Sequence, residues 1–317
     1  MGAAFLFEHM NEFFEMLVAL PWLFIGLSVV LGLLIGSFLN VVIHRVPIMM
    51  DNELRAECAV LSMQDAAAQN GPALEIPGQP VYNIVTPRSA CPKCKAPITA
   101  LQNIPIVSWL VLRGQCASCQ NPISMRYPLV ELATGILSGF IAWRFGLGLA
   151  GCAALAFTWL LIALTMIDFD TQYLPDALTY PLLWLGLLVS LGHPSWDEGA
   201  APVGPRDAII GAAAGYLILW SVYWAFKLIT GKEGMGYGDF KLLGALGAWL
   251  GWQMLLPIIV FASGVGAVFG IVVMIRQRRG RDTQIAFGPF LAIAGWIALV
   301  AGNDIVNRYL GLFALRG

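Results

Sequence analysis

Residues 151–170 read GCAALAFTWLLIALTMIDFD: no charge from Gly151 to Ile167, and then two carboxylates, Asp168 and Asp170. A run of roughly 17–25 apolar residues can cross a bilayer as a helix. Apolar character on every side argues for helix, because in lipid each backbone polar group needs a partner within its own segment. Comparable runs lie on both sides, at about 21–43, 129–149, 178–191, 208–229, 242–255, 258–275 and 285–301, the second interrupted at Arg144 and Gly146. The pattern predicts an all-α polytopic membrane protein with about eight transmembrane helices. Only 12% of the 317 residues are charged, 58% are hydrophobic and the mean hydropathy is +0.75, whereas soluble proteins carry roughly 25% charged residues. An ordinary soluble enzyme and a disordered or fibrous chain are excluded, and a net charge of −1 gives no general attraction to nucleic acid.

The few charges predict the orientation. No Lys or Arg precedes Arg45, while Glu8, Glu12 and Glu15 do, so the first span reads as a retained anchor with its N-terminus outside, not as a cleaved signal. Alternating spans then leave 44–128, 230–241 and 276–284 inside. These inner stretches, with the flanking Lys227, hold 14 of the 18 Lys and Arg residues; Arg144, Arg206, Arg308 and Arg316 are left outside. Such a bias marks the cytoplasmic side. The expected organisation is an N-terminus and first helix over 1–43, a cytoplasmic loop over 44–128, and a seven-helix membrane domain over 129–317.

The first loop has two halves. Met49–Gly78 is polar, Ala-rich and free of aromatics, and is expected to pack loosely. The second half holds Cys91-x-x-Cys94 and Cys116-x-x-Cys119, with 21 residues between the pairs. Two such turns can set four thiolates tetrahedrally around Zn²⁺. Disulfides are disfavoured in a reducing cytoplasm. Four sulfurs would fill the coordination sphere and leave no place for water, so the predicted metal is structural and staples a loop too small for its own core. Cys58 and Cys152 lack paired spacing and read as inert.

Carboxylates beside a bilayer are functional candidates by default. Two clusters are expected at the same inner face, Asp168, Asp170 and Asp176 after the third span and Asp239 in Gly236-Tyr237-Gly238-Asp239-Phe240-Lys241 before the sixth. Two such groups suit hydrolysis by water: an ionised Asp deprotonates the water while a protonated partner polarises a carbonyl, because like charges held close share a proton. Asp176, after Pro175, reads as a helix cap, and Asp170 as a solvated turn residue. The glycines before Asp239 either break a helix or let backbones approach closely. The choice among Asp168, Asp170 and Asp176 stays open on chemistry alone. Glu131 reads either as a group that helps bind an amine or leader or as a helix-start carboxylate, Lys241 as a membrane-boundary charge in preference to a partner that lowers the Asp239 pKa, and His44 as a headgroup neighbour.

The chain resembles the bacterial type IV prepilin peptidases, bifunctional leader peptidase/N-methyltransferases among the GxGD aspartyl proteases. The resemblance rests on Gly36–Arg45, Tyr82–Ser89, the cysteine tetrad with Asn103-Ile104-Pro105 and Ser108-Trp109 inside it, Arg126–Glu131, the D-x6-P-D segment Asp168–Asp176, and Gly236–Lys241. It implies that Asp168 and Asp239 are the catalytic pair. It implies prepilin and pseudopilin substrates, cut between a short basic leader ending in Gly and an apolar helix that usually starts with Phe. It implies that the new α-amino group is then methylated from S-adenosylmethionine. The implied location is a bacterial inner membrane, with the site at its cytoplasmic face. No G-x-G-x-x-G after a strand is present, so the methyl-donor site rests on resemblance, with Gly36–Arg45 and the cysteine loop as its broadest location. Two other readings compete: an ion- or proton-coupled transporter using the same Asp residues, and an assembly scaffold organised by the cysteine loop.

Overall fold

The computed structural model describes residues 15–68, 82–192, 203–277 and 286–314, together with His9 and Glu12. Arg278, Arg279, Arg281 and Arg316, used above for orientation, lie outside the described residues, as does the 69–81 part of the first loop, and the Arg308 side chain is not described. Described residues form helices and no strand, only two isolated bridges. The long helices are α1 (Pro21–Ala68), α3 (Arg126–Phe145), α4 (Leu149–Thr171), α5 (Asp176–Ser190), α6 (Pro205–Thr230), α7 (Tyr237–Leu250), α8 (Leu255–Gln277) and α9 (Gly288–Ala314); a short α2 covers Val107–Val111. Each apolar segment read from the sequence has most of its length on one long helix, although 129–149 and 242–255 run past the helix ends at Phe145 and Leu250. Among the described residues, four stretches are both long and apolar enough to cross a membrane, Pro21–Ser62, Leu149–Thr171, Pro205–Thr230 and Trp252–Arg276. The apolar helices Asp176–Ser190 and Gly288–Gly302 are shorter.

One expectation is corrected. The chain does not leave its first helix at Ile43: α1 continues through Pro47 to Ala68. Ala, Leu, Met and Glu dominate the extension and favour helix, while Pro47 forfeits one backbone hydrogen bond without ending it. The extension is mostly exposed over 51–62. The break expected near Arg144 and Gly146 is present. Helix α3 stops at Phe145, and Gly146 takes the left-handed conformation (φ +68°) before α4 begins.

The chain divides into two compact units, Leu34–Leu132 and the remainder. The larger unit is organised around α7, every residue of which from Asp239 to Leu250 except Lys241 is buried. Fourteen residues rise about 21 Å, and from Leu242 to Leu250 the helix is apolar on every side because it has neighbours on every side. On one side Gly211 of α6 and Gly247 of α7 bring backbone against backbone, where a Cβ on either would collide with the other's carbonyl. On the others, Trp249 packs its ring 4.9 Å from Phe157 of α4 and donates its indole N–H to the Leu182 carbonyl of α5 at 2.8 Å. Leu246 lies against Gly295 of α9.

The smaller unit is built from two copies of one turn. In the first, the Cys91 N–H donates to Ala96 O, the Lys95 N–H to Cys91 O and the Ile98 N–H to Ser89 O, each at 2.9 Å. Twenty-five positions later, the N–H groups of Cys116, Gln120 and Ile123 donate to the carbonyls of Asn121, Cys116 and Gly114 at 2.9, 2.9 and 2.7 Å. Lys95 and Gln120 hold the same left-handed conformation, φ +59° and +56°. Between the turns, the Trp109 ring covers Gly114 and its N–H reaches the Ile123 carbonyl. The buried Arg45 of α1 ties down the following segment, its guanidinium donating to the carbonyls of Asn83 (2.8 Å) and Pro87.

Candidate active site

Asp168 sits in the last turn of α4. Gln172 closes that helix in the left-handed conformation, its N–H on the Asp168 carbonyl at 2.8 Å. Asp239 sits in the first turn of α7, after Gly236 in extended conformation; a carboxylate there is favoured by the positive end of the helix. Both carboxylates are buried, at 4% and 7% exposure, and lie close enough for the Asp168 charge to act on Asp239. Among the described residues, Asp168 Oδ2 is buried without a hydrogen-bond partner. An oxygen in that position is costly unless, ionised, it accepts from a donor or, protonated, it donates to an acceptor.

Two glycines permit the arrangement. A Cβ on Gly238 would lie 2.8 Å from the Leu174 Cβ. A Cβ on Gly288, at the start of α9, would lie 2.5 Å from Asp168 Oδ2 and 3.1 Å from Leu174. The Gly236–Gly238 spacing flagged in the sequence therefore serves close approach at Gly238. Gly288 and Leu174 escaped sequence reading, although Gly288-Pro289 at the head of an apolar run was a visible punctuation signal.

The other acids separate in the structure. Asp170 is exposed. Asp176 does not cap α5: the cap position belongs to Pro175, and Asp176 lies in the first helical turn. Its carboxylate instead takes a bidentate contact from Lys241 Nζ at 2.6 and 2.8 Å. Lys241 is thus a partner of Asp176 and not of Asp239. Nearer the entry to α7, Lys227 holds Glu233 at 2.8 Å, and this contact pulls the Glu233 carboxyl below its ordinary range.

In the smaller unit the four cysteine Sγ atoms lie within 4.8 Å of one another, with Cys91 and Cys119 at 3.8 Å. A tetrahedral ion with bonds of about 2.3 Å to sulfur would set its ligands about 3.8 Å apart, so the donor set fits a thiophilic metal. Backbone N–H groups of Cys94 and Lys93 hold the Cys91 thiol down at about 6, and those of Cys119 and Ser118 lower Cys116. The Asn121 N–H also pulls Cys119 down, but burial and the three neighbouring thiols push it up to about 11. Four sulfurs in so small a space compete for protons, and a cation among them removes that competition. Cys58 and Cys152 are exposed and unpaired with other cysteines.

The same unit carries a half-open cavity of about 830 Å³ whose walls include Ser37, Arg45, Tyr82, Arg88, Trp109 and Glu131. Its volume falls in the range of roughly 300–1,000 Å³ usual for small-molecule sites. Glu131 is buried in α3 and does not act on its own helix end; its Oε2 accepts the Ile106 N–H at 2.8 Å. Ile106 has φ +59°, rare for a β-branched residue, so this contact holds a strained turn in place.

Comparison with known proteins agrees along nearly the whole chain. A family model described as "Bacterial Peptidase A24 N-terminal domain" matches residues 30–145, and one described as "Type IV leader peptidase family" matches 155–271. Proteins named "Prepilin leader peptidase/N-methyltransferase" are 53% identical in Aeromonas salmonicida strain A449, over 95% of this chain and 99% of that one, and 54% identical in Aeromonas hydrophila, over 94% and 98%. The protein of that name from Pseudomonas aeruginosa is 49% identical over 93% of this chain and 97% of its own. No solved structure matches.

Proposed function

The chain belongs to the type IV leader peptidase family, and from that premise we propose that it is a multi-pass inner-membrane aspartyl endopeptidase. It removes the short basic leader of prepilins and pseudopilins and then N-methylates the new N-terminus. Asp168 and Asp239 do the cutting. One, ionised, takes a proton from water; the other, protonated, donates a hydrogen bond to the scissile carbonyl, and the proton then passes to the leaving amine. The observation that carries this reading is the burial of two carboxylates, brought together from segments 71 residues apart, with one oxygen left without a partner. The transporter alternative has no support, since the relatives are named as peptidases.

The alternating charge pattern supports eight crossings, with the N-terminus periplasmic, residues 44–128 and the carboxylate site on the cytoplasmic side, and 129–317 as the membrane domain. A basic leader would remain on that side while the following apolar helix stays in the bilayer. Cys91, Cys94, Cys116 and Cys119 would hold one structural Zn²⁺. The 830 Å³ cavity suits S-adenosylmethionine in volume and in its mixture of aromatic and charged walls. That group would supply a methyl on a sulfonium. Here Glu131 holds the Pro105-Ile106 turn that joins the cavity-lining Asn103 and Ser108, and Tyr82 and Trp109 supply the aromatic part of the lining.

The test is cleavage of a full-length prepilin by the purified chain. Asp168→Asn and Asp239→Asn are each expected to lower cleavage by at least about a thousandfold while leaving methylation of already cleaved pilin intact. Normal cleavage by either folded variant would sink the aspartyl mechanism.

A further inference from the structure

The Asp176–Lys241 pair joins the two segments that bear the carboxylates. Asp176 lies eight residues after Asp168 and opens α5; Lys241 lies two residues after Asp239 in the first turn of α7. The Lys241 ammonium meets both carboxylate oxygens of Asp176, at 2.6 and 2.8 Å. It also sits 5.3 Å from the ring centre of Tyr180, one turn further along α5. On a helix of 3.6 residues per turn, side chains two apart project about 200° from one another. The start of α7 therefore presents Asp239 towards the Asp168 site and, two positions on, is gripped from α5 through Lys241. Leu174 of the Asp168–Asp176 segment lies against Gly238 and Gly288. The pair is partly exposed, with side chains 27% and 41% accessible, and a single ion pair in that setting adds little to stability. Its geometry has the larger consequence: it sets how the first turn of α7 is rotated relative to the end of α4.

We propose that Asp176 and Lys241 form a positioning latch for the carboxylate pair, acting on cleavage through Asp239 and touching neither water nor the scissile bond. The proposal rests on the peptidase reading above. A misplacement near 1 Å at a reacting group costs on the order of a hundredfold in rate, so loosening this turn is expressed in kcat. KM stays nearly constant, because neither residue binds substrate.

The experiment uses the full chain in lipid nanodiscs, with a prepilin for cleavage and a pre-cleaved pilin for methylation. Asp176→Asn and Lys241→Met are each expected to lower kcat for cleavage by about 10- to 100-fold, with KM changed by less than about threefold and methylation unchanged. Lys241→Arg, which keeps a bidentate cation, is expected to stay within about fivefold of the parent. The exchanged double variant Asp176→Lys with Lys241→Asp is expected to recover about tenfold over either single variant. Parental kcat in both single variants, a change confined to KM, no recovery on exchange, or methylation falling in step with cleavage would each overturn the latch. Asp168→Asn and Asp239→Asn measured alongside separate the two ideas. If they cleave, the peptidase pair is wrong; if they are dead while the latch variants are normal, only the latch is wrong.

Discussion

The cysteine module and the carboxylate site solve the same problem, gathering charged ligands in one small volume, by opposite routes. The module repeats one ten-residue turn at an offset of 25 positions, and each copy presents its two sulfurs through hydrogen bonds made within that turn. The carboxylate site has no local template. Asp168 and Asp239 meet only because α7 is enclosed by α4, α5, α6 and α9, and because Gly238 and Gly288 let backbone approach side chain. The first kind of site is a property of short segments; the second is a property of the packed core. Damage to one should leave the other standing.

The largest separation is expected from the cysteines. Replacing Cys91 and Cys116 with Ser removes one sulfur from each turn, and metal binding of this class is worth on the order of 10 kcal/mol to a small module. Bound zinc should fall from one per chain to background by elemental analysis, and limited proteolysis should open the 82–125 segment. Cleavage by the carboxylate site should remain within about tenfold of the parent. Loss of cleavage in a chain whose membrane helices remain folded would erase the distinction between the two regions.

Gly288→Ala tests the other side. Its Cβ would meet Asp168 Oδ2 at 2.5 Å, so the carboxylate has to move and cleavage is expected to drop about a hundredfold, with zinc content and methylation unaffected. Parental cleavage would show that the close approach at Gly288 does not constrain the site. A smaller effect is expected from Gly247→Ala, which meets the Gly211 backbone. Overpacking of this kind costs about 1–3 kcal/mol, read as a lower melting temperature of the larger unit, with zinc retained. Stability equal to the parent would mean that α6 and α7 adjust freely, against the tight core inferred here.

Legibility followed the same division. The cysteine tetrad was readable because C-x-x-C spacing is itself the geometry, and the apolar segments because hydropathy is summed locally. The continuation of α1 past Pro47 is harder to see: polarity and Ala content suggest a loose loop, whereas Ala, Leu and Glu favour helix whenever nothing stops it. Asp176 was read as a cap from its place after Pro175, yet its carboxylate is engaged by Lys241, 65 positions away, a partner no local rule could name.

Sequence by itself determined that this chain is helical and rich in membrane-type segments, that four cysteines form two turns fit to hold a metal, and that the acids worth attention lie near 168–176 and at 239. Each follows from residues within a few positions of one another. Only tertiary structure decided which of those acids is buried beside Asp239, which one is engaged by Lys241, and why a glycine must stand at 288. A helix rotates successive side chains by about 100°, so what each of them faces is settled only when neighbouring helices have packed against it.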